Sequence, residues 1–198
     1  MPRWVLWLLC SIFAIARAQA QDAVGFGPQD TCQVALEAET AKGASRLEPP
    51  ALPYNQFGNL VFHRTQNGAP ASVIYLCNGV KPTGGPIFAQ IIRIERSSED
   101  VAQSEFKRQV EFLRHQFGEP CWNGTTLTPE QRASIPEGFT HRMYWRVRSW
   151  AITDIGWWEI KDRTPRVWGI VINTGWPWDP THLTEPSRTI WSKCGNPG

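Results

Sequence analysis

The sequence predicts an α+β fold: an antiparallel β-sheet of about six strands, with one long α-helix at about residues 99–117 packed on one face. Three observations predict it. Only one segment carries a long helical stripe with both ends marked. Short apolar runs flank it on either side, and they are separated by turn residues at hairpin spacing. Parallel strands need longer crossovers than these spacings allow.

The chain begins outside that domain. Residues 1–20 read as a secretory signal peptide: Arg3, an apolar run over Trp4–Ile15, and small residues that direct cleavage after Ala18 or Ala20. The run is too short for a membrane anchor, which needs about twenty apolar residues. Of the 20 Lys and Arg residues, Arg3 and Arg17 belong to this leader, so 18 basic residues face 18 acidic ones in the remainder. A balanced charge gives no electrostatic footprint for nucleic acid. Without the leader four cysteines remain, Cys32, Cys77, Cys121 and Cys194. None is paired as CxxC, so an exported chain is expected to hold them as two disulfides. The preferred pairing is Cys32–Cys77 and Cys121–Cys194, which ties an N-terminal segment to an early strand and the tail to the helix exit. The expected compartment is therefore periplasmic or secreted.

Residues 21–56 read as an irregular arm, broken by Pro49, Pro50 and Pro53, with a short helix over Gln33–Lys42; a single domain occupies 57–198. Leu60–His63 and Ser72–Cys77 are strands, the first ended by Gln66-Asn67-Gly68. Ile87–Arg96 has apolar residues on both faces and is expected near the centre of the sheet. Ala102, Phe106, Val110, Leu113 and Phe117 then form the helical stripe, with Ser98 as N-cap, Glu99 and Asp100 in the first turn, and Gly118 and Pro120 as stop signals. Thr128-Pro129 opens a short helical turn. His141–Ile152 alternates as a strand, Thr153-Asp154 reads as a turn, and Ile155–Lys161 and Val167–Asn173 complete the meander.

Catalytic signatures are sparse. There is no P-loop, dinucleotide fingerprint, HExxH or GxSxG. His63, His115, His141 and His182 are scattered, and Glu95, Asp154, Glu159 and Asp179 can pair only through the fold. No catalytic residue, metal ligand or cofactor is assigned. The anomaly is tryptophan: nine of the eleven lie after the helix. Trp157 and Trp158 are adjacent on a strand and must face opposite sides, so both cannot enter one core. The candidate ligand-binding residues are Arg142, Arg146, Arg148, Trp150, Trp176 and Trp178, because indole faces stack on sugars and guanidinium forks bind anions. The expected function is a non-catalytic binding or accessory module of the cell envelope or extracellular space, with an envelope glycan, a lipid head group or a partner protein as its ligand. The alternatives are a secreted hydrolase using loop carboxylates and a structural subunit of an envelope complex.

Overall fold

A computed structural model describes residues 26–27, 29–47, 59–77, 85–148, 151–161, 163–175, 185 and 187–195. The leader, Trp150, Trp176 and Trp178 lie outside these residues. Among them the chain forms α1 (Cys32–Ala41), β1 (Ser45–Leu47), β2 (Leu60–Gln66), β3 (Ala69–Cys77), β4 (Ile87–Arg96), α2 (Glu99–Phe117) and β5 (Trp122–Asn123). Next come α3 (Pro129–Ala133), α4 (Glu137–Thr140), β6 (Arg142–Arg148), β7 (Ala151–Ile160), β8 (Val167–Gly175) and α5 (Ser187–Gly195).

The class is α+β as expected, but the sheet has eight strands, in the order β1-β2-β3-β4-β8-β7-β6-β5. All pairs are antiparallel. The two extra strands, β1 and β5, are three and two residues long, too short to carry an alternation. Four further helices accompany the long one, and α1 and β1 build part of the expected irregular arm into the fold.

The topology explains why one helix suffices to organise the sheet. The chain walks from one edge to the centre through β1–β4. Helix α2 then carries it across one face to the far edge, and β5–β8 walk back until β8 meets β4. Ala102, Phe106, Val110 and Leu113 are buried on that face, and α2 packs on β4, β6, β7 and β8. Ser98 accepts from the Val101 amide, and the Gly118 amide donates to the Arg114 carbonyl at 2.8 Å. Gly118 ends the helix at φ 78° and ψ −155°, a positive-φ conformation other than the left-handed helical one expected, and still one that favours glycine. Trp145, 1% exposed, seals the junction by donating its indole N–H to the Gly118 carbonyl at 2.9 Å.

Asn67 and Gly68, both at positive φ, make the β2–β3 turn. Thr153 and Asp154, expected in a turn, instead lie inside β7: β6 ends at Arg148 and β7 already begins at Ala151. Alternation over Ala151–Ile155 is masked because Thr153 and Asp154 are polar on both faces. Thr153 faces the core, where its hydroxyl meets that of Thr174 at 2.7 Å.

Both disulfides match the preferred pairing, Cys32–Cys77 with Cα atoms 6.0 Å apart and Cys121–Cys194 at 5.2 Å. They anchor helices to opposite faces. α1 lies on the α2 side, with Cys32 and Ala35 in the main core. α5 lies on the reverse side, where Ile190 and Cys194 pack with Trp122 and Tyr144 in a second apolar cluster. No helix among the described residues is long and apolar enough to cross a membrane.

Candidate functional site

Strand lengths create the site. β6 pairs with β7 only as far as Arg142 opposite Gly156, whereas β7 continues to Ile160 against β8. The edge of β7 beyond Gly156 therefore borders a notch of about 280 Å³, closed on the other side by Glu137, Gly138 and His141 from α4 and its exit. Trp157 and Trp158 line the notch and diverge. Trp157 turns to the helix face, 6.4 Å from the Phe106 ring and 5.6 Å from that of Trp168. Trp158 turns to the reverse face and remains 41% exposed.

Arg142 is the hinge of this arrangement. Its guanidinium carbon sits 5.5 Å from the centre of the Trp158 ring, and its Nη1 donates to Asp154 Oδ1 at 2.7 Å. Asn173 Nδ2 donates to the same carboxylate, at 3.1 Å to Oδ1 and 3.3 Å to Oδ2. The register imposes this: Tyr144, Asp154 and Asn173 stand abreast on neighbouring strands, on the face opposite α2. Burial pushes the Asp154 carboxyl up to about 6, outweighing the Arg142 charge and the hydrogen bonds from Asn173 and Arg142. Burial likewise raises the Tyr144 hydroxyl, helped by the Asp154 charge and opposed by Arg142.

Gly156 makes the close approach possible. A Cβ there would stand 3.0 Å from Arg142 Cγ and 3.3 Å from Trp158 Cζ3, so a side chain would require both the Arg142 stem and the indole to shift by a few tenths of an ångström.

Of the expected ligand-binding residues that are described, Arg142, Arg146 and Arg148, the structure brings Arg142 to the notch. Arg146 lies further along β6, opposite Ile152, and its Nε donates to the Arg148 carbonyl at 3.4 Å. Arg148 is exposed and comes after a register shift, so it sits opposite Ala151 instead of continuing the row. Trp158, Asp154, Asn173, Glu137 and His141 are the neighbours that sequence reasoning did not join to Arg142. The adjacent Trp157-Trp158 pair was the available signal, since alternation forces one of two neighbouring indoles out of the helix-side core.

A second, wider cleft of about 560 Å³ is lined by Lys42, Gly43, His63, Arg64, Thr65, Pro70 and Ala71. Its Arg64 is paired with Glu39, with Nε 3.2 Å from Oε2, and among the described residues no Trp, Tyr or Phe ring lines it. The notch, with its exposed indole, is the better ligand platform. Among the described residues, no three His, Cys, Asp or Glu side chains are grouped to hold a metal ion. Comparison with protein-family models, curated proteins and solved structures finds no match to this chain.

Proposed function

We propose that this chain is an exported, non-catalytic binding module whose ligand occupies the notch beside Trp158. One observation carries the reading: a large aromatic face is left 41% exposed while Asp154, itself braced by Asn173, holds Arg142 beside that ring. Keeping a charged pair out of water is costly unless its geometry is well satisfied, and here the outcome is a fixed guanidinium beside an exposed ring. Such a preorganised aromatic–cation platform is what small-ligand recognition needs. Catalysis fits less well. The Asp154 carboxyl is tied to Arg142 and Asn173, and it is not among the side chains that line the notch, so it is not placed to take a proton from a substrate there. Export rests on the leader-like first twenty residues and on two disulfides, which persist in oxidising compartments.

The test uses the full chain expressed in its own cells. The mature N-terminus is expected at Gln19 or Gln21, read by mass spectrometry, and a cytoplasmic pool retaining Met1 would sink export. Retention of the protein on washed envelope fractions is expected to fall about tenfold in Trp158→Ala; unchanged retention would remove the notch from any binding role.

A further inference from the structure

The charge and shape of the same notch define its ligand more narrowly, and that narrower assignment rests on the binding role just proposed. The charges at the site do not favour an anion. The positive charge of Arg142 is already answered by Asp154 at 2.7 Å, so it is not a free fork for phosphate. Among the described residues the remaining charged group on the lining is Glu137, on the exposed first turn of α4. With both carboxylates ionised the site carries a net negative charge, which repels phosphate and acidic head groups within a screening length.

A peptide strand is also disfavoured. It would have to add to the β7 edge beyond Gly156, and there Glu137, Gly138 and His141 close the notch on the side where such a strand would lie. What the notch offers instead is one flat apolar face and several planar polar groups. The Trp158 face turned away from Arg142 is matched by the C–H face of a pyranose ring. Arg142 has five N–H donors, more than Asp154 and Tyr144 take up. Glu137 supplies acceptors, and His141 supplies one donor and one acceptor when neutral. Sugar hydroxyls both donate and accept, so they suit this mixture. A volume of about 280 Å³ stands at the small end of ligand pockets (~300–1,000 Å³), the scale of a single sugar ring or a short oligosaccharide end. We infer that the notch takes an uncharged saccharide, with one ring stacked on Trp158 and its hydroxyls bridged by Arg142, Glu137 and His141.

The experiment monitors the Trp158 indole N–H by NMR in the full mature protein. The Trp145 indole, bonded to the Gly118 carbonyl, serves as the internal control for folding. The probes are a panel of neutral oligosaccharides (N-acetylglucosamine, glucose and galactose tetramers), inorganic phosphate, phosphatidylglycerol vesicles and an extended-peptide library. A saturable shift of Trp158 is expected with at least one neutral oligosaccharide. Its dissociation constant should change less than about twofold between low and high salt, because no net charge is neutralised. For the variants, which lack this indole, binding is read by titration calorimetry: Trp158→Ala should weaken it at least about tenfold, and Trp158→Phe should restore part of the loss. Shifts only with phosphate or vesicles, falling steeply with salt, would overturn the saccharide and leave the binding role standing. Shifts only with peptides would overturn it in favour of a protein partner. Silence across the whole panel would overturn both.

Discussion

The two halves of the sheet solve the same problem on opposite faces and to different ends. Each half has a disulfide, a short helix that the disulfide secures, and an ion pair, buried in the first half and half-buried in the second. In the N-terminal half, α1 lies on the α2 side and delivers Glu39, fully buried, to Arg64 at 3.2 Å and to the Tyr75 hydroxyl at 2.5 Å; Gln90 donates to Tyr75 at 2.9 Å. Burial, with the Glu39 charge next, drives the Tyr75 hydroxyl well above its ordinary range, so it stays a donor. In the C-terminal half the pair is Arg142–Asp154, on the reverse face, and it opens onto the notch beside an exposed indole. An ion pair whose carboxylate is fully buried locks one element to the sheet. An ion pair at a lip holds one charged group ready for something else.

The largest effect expected from this contrast comes from Glu39→Ala. It removes the buried carboxylate that answers Arg64 and the Tyr75 hydroxyl and should cost about 3–5 kcal/mol by urea unfolding, with no change in saccharide affinity for the molecules that remain folded. Glu39→Leu with Arg64→Met should recover most of it, because a buried pair is often replaceable by apolar groups. A large loss of affinity in that double variant would break the division between the halves.

The disulfides sharpen the symmetry. They close loops with sequence separations of 45 and 73 residues, for which chain entropy assigns each about 4 kcal/mol, differing by less than about 0.5. Pairwise Cys→Ala replacement should therefore destabilise the two variants almost equally. A much larger loss for Cys121/Cys194 would mean that α5 contributes packing of its own, through Ile190 against Trp122 and Tyr144.

Acidification separates the halves by sign. Asp154 has a folded pKa of about 6 against an ordinary 3.8, so the native state binds its proton more tightly than the unfolded chain does. Its contribution is fully present below about pH 4 and is lost as pH rises through about 6, a swing of about 3 kcal/mol. Glu105, which fastens α2 to the N-terminal half, goes the other way. Burial pulls its pKa upward, but Gln109, Arg108 and Arg96 hold it below the ordinary range, so its contribution is present at neutral pH and lost on acidification. Subtracting unfolding curves of Asp154→Asn from those of the parent isolates the first term. The difference should decline from pH 4 to 6.5, and a flat difference would place Asp154 in a wetter setting.

These contrasts also separate what the residues spell out locally from what only the fold assembles. The helix stripe, its Ser98 cap, the Asn67-Gly68 hairpin and the central place of β4 come from local chemistry, and each is written in a few neighbouring residues. Trp145 is readable as inward because its strand alternates cleanly. The Arg142–Asp154–Asn173 row is not, because its members are 12 and 19 residues apart and meet only through strand register. Asp154 actively misleads: a Thr-Asp pair resembles a turn unless both faces of the strand are known to hold polar partners. Helix α5 escapes notice for a related reason, since it buries only Ile190 and Cys194, too few to make a stripe.

The smallest expected change tests the platform most directly. Gly156 sits mid-strand, where glycine ordinarily weakens a sheet by about 0.5–1 kcal/mol relative to alanine. On propensity alone, Gly156→Ala should stabilise the protein. The added methyl would meet Arg142 Cγ at 3.0 Å and Trp158 Cζ3 at 3.3 Å, so both side chains must give way. The two terms oppose one another, and net stability should move by less than about 1 kcal/mol. Site geometry should not be spared: the Trp158 indole N–H resonance is expected to shift while that of Trp145 stays, and saccharide affinity should fall without loss of fold. A variant more stable by the full propensity gain, with Trp158 unmoved, would mean that the guanidinium and the indole do not share the space above Gly156. The C-terminal ion pair would then be as purely structural as its counterpart beneath α1.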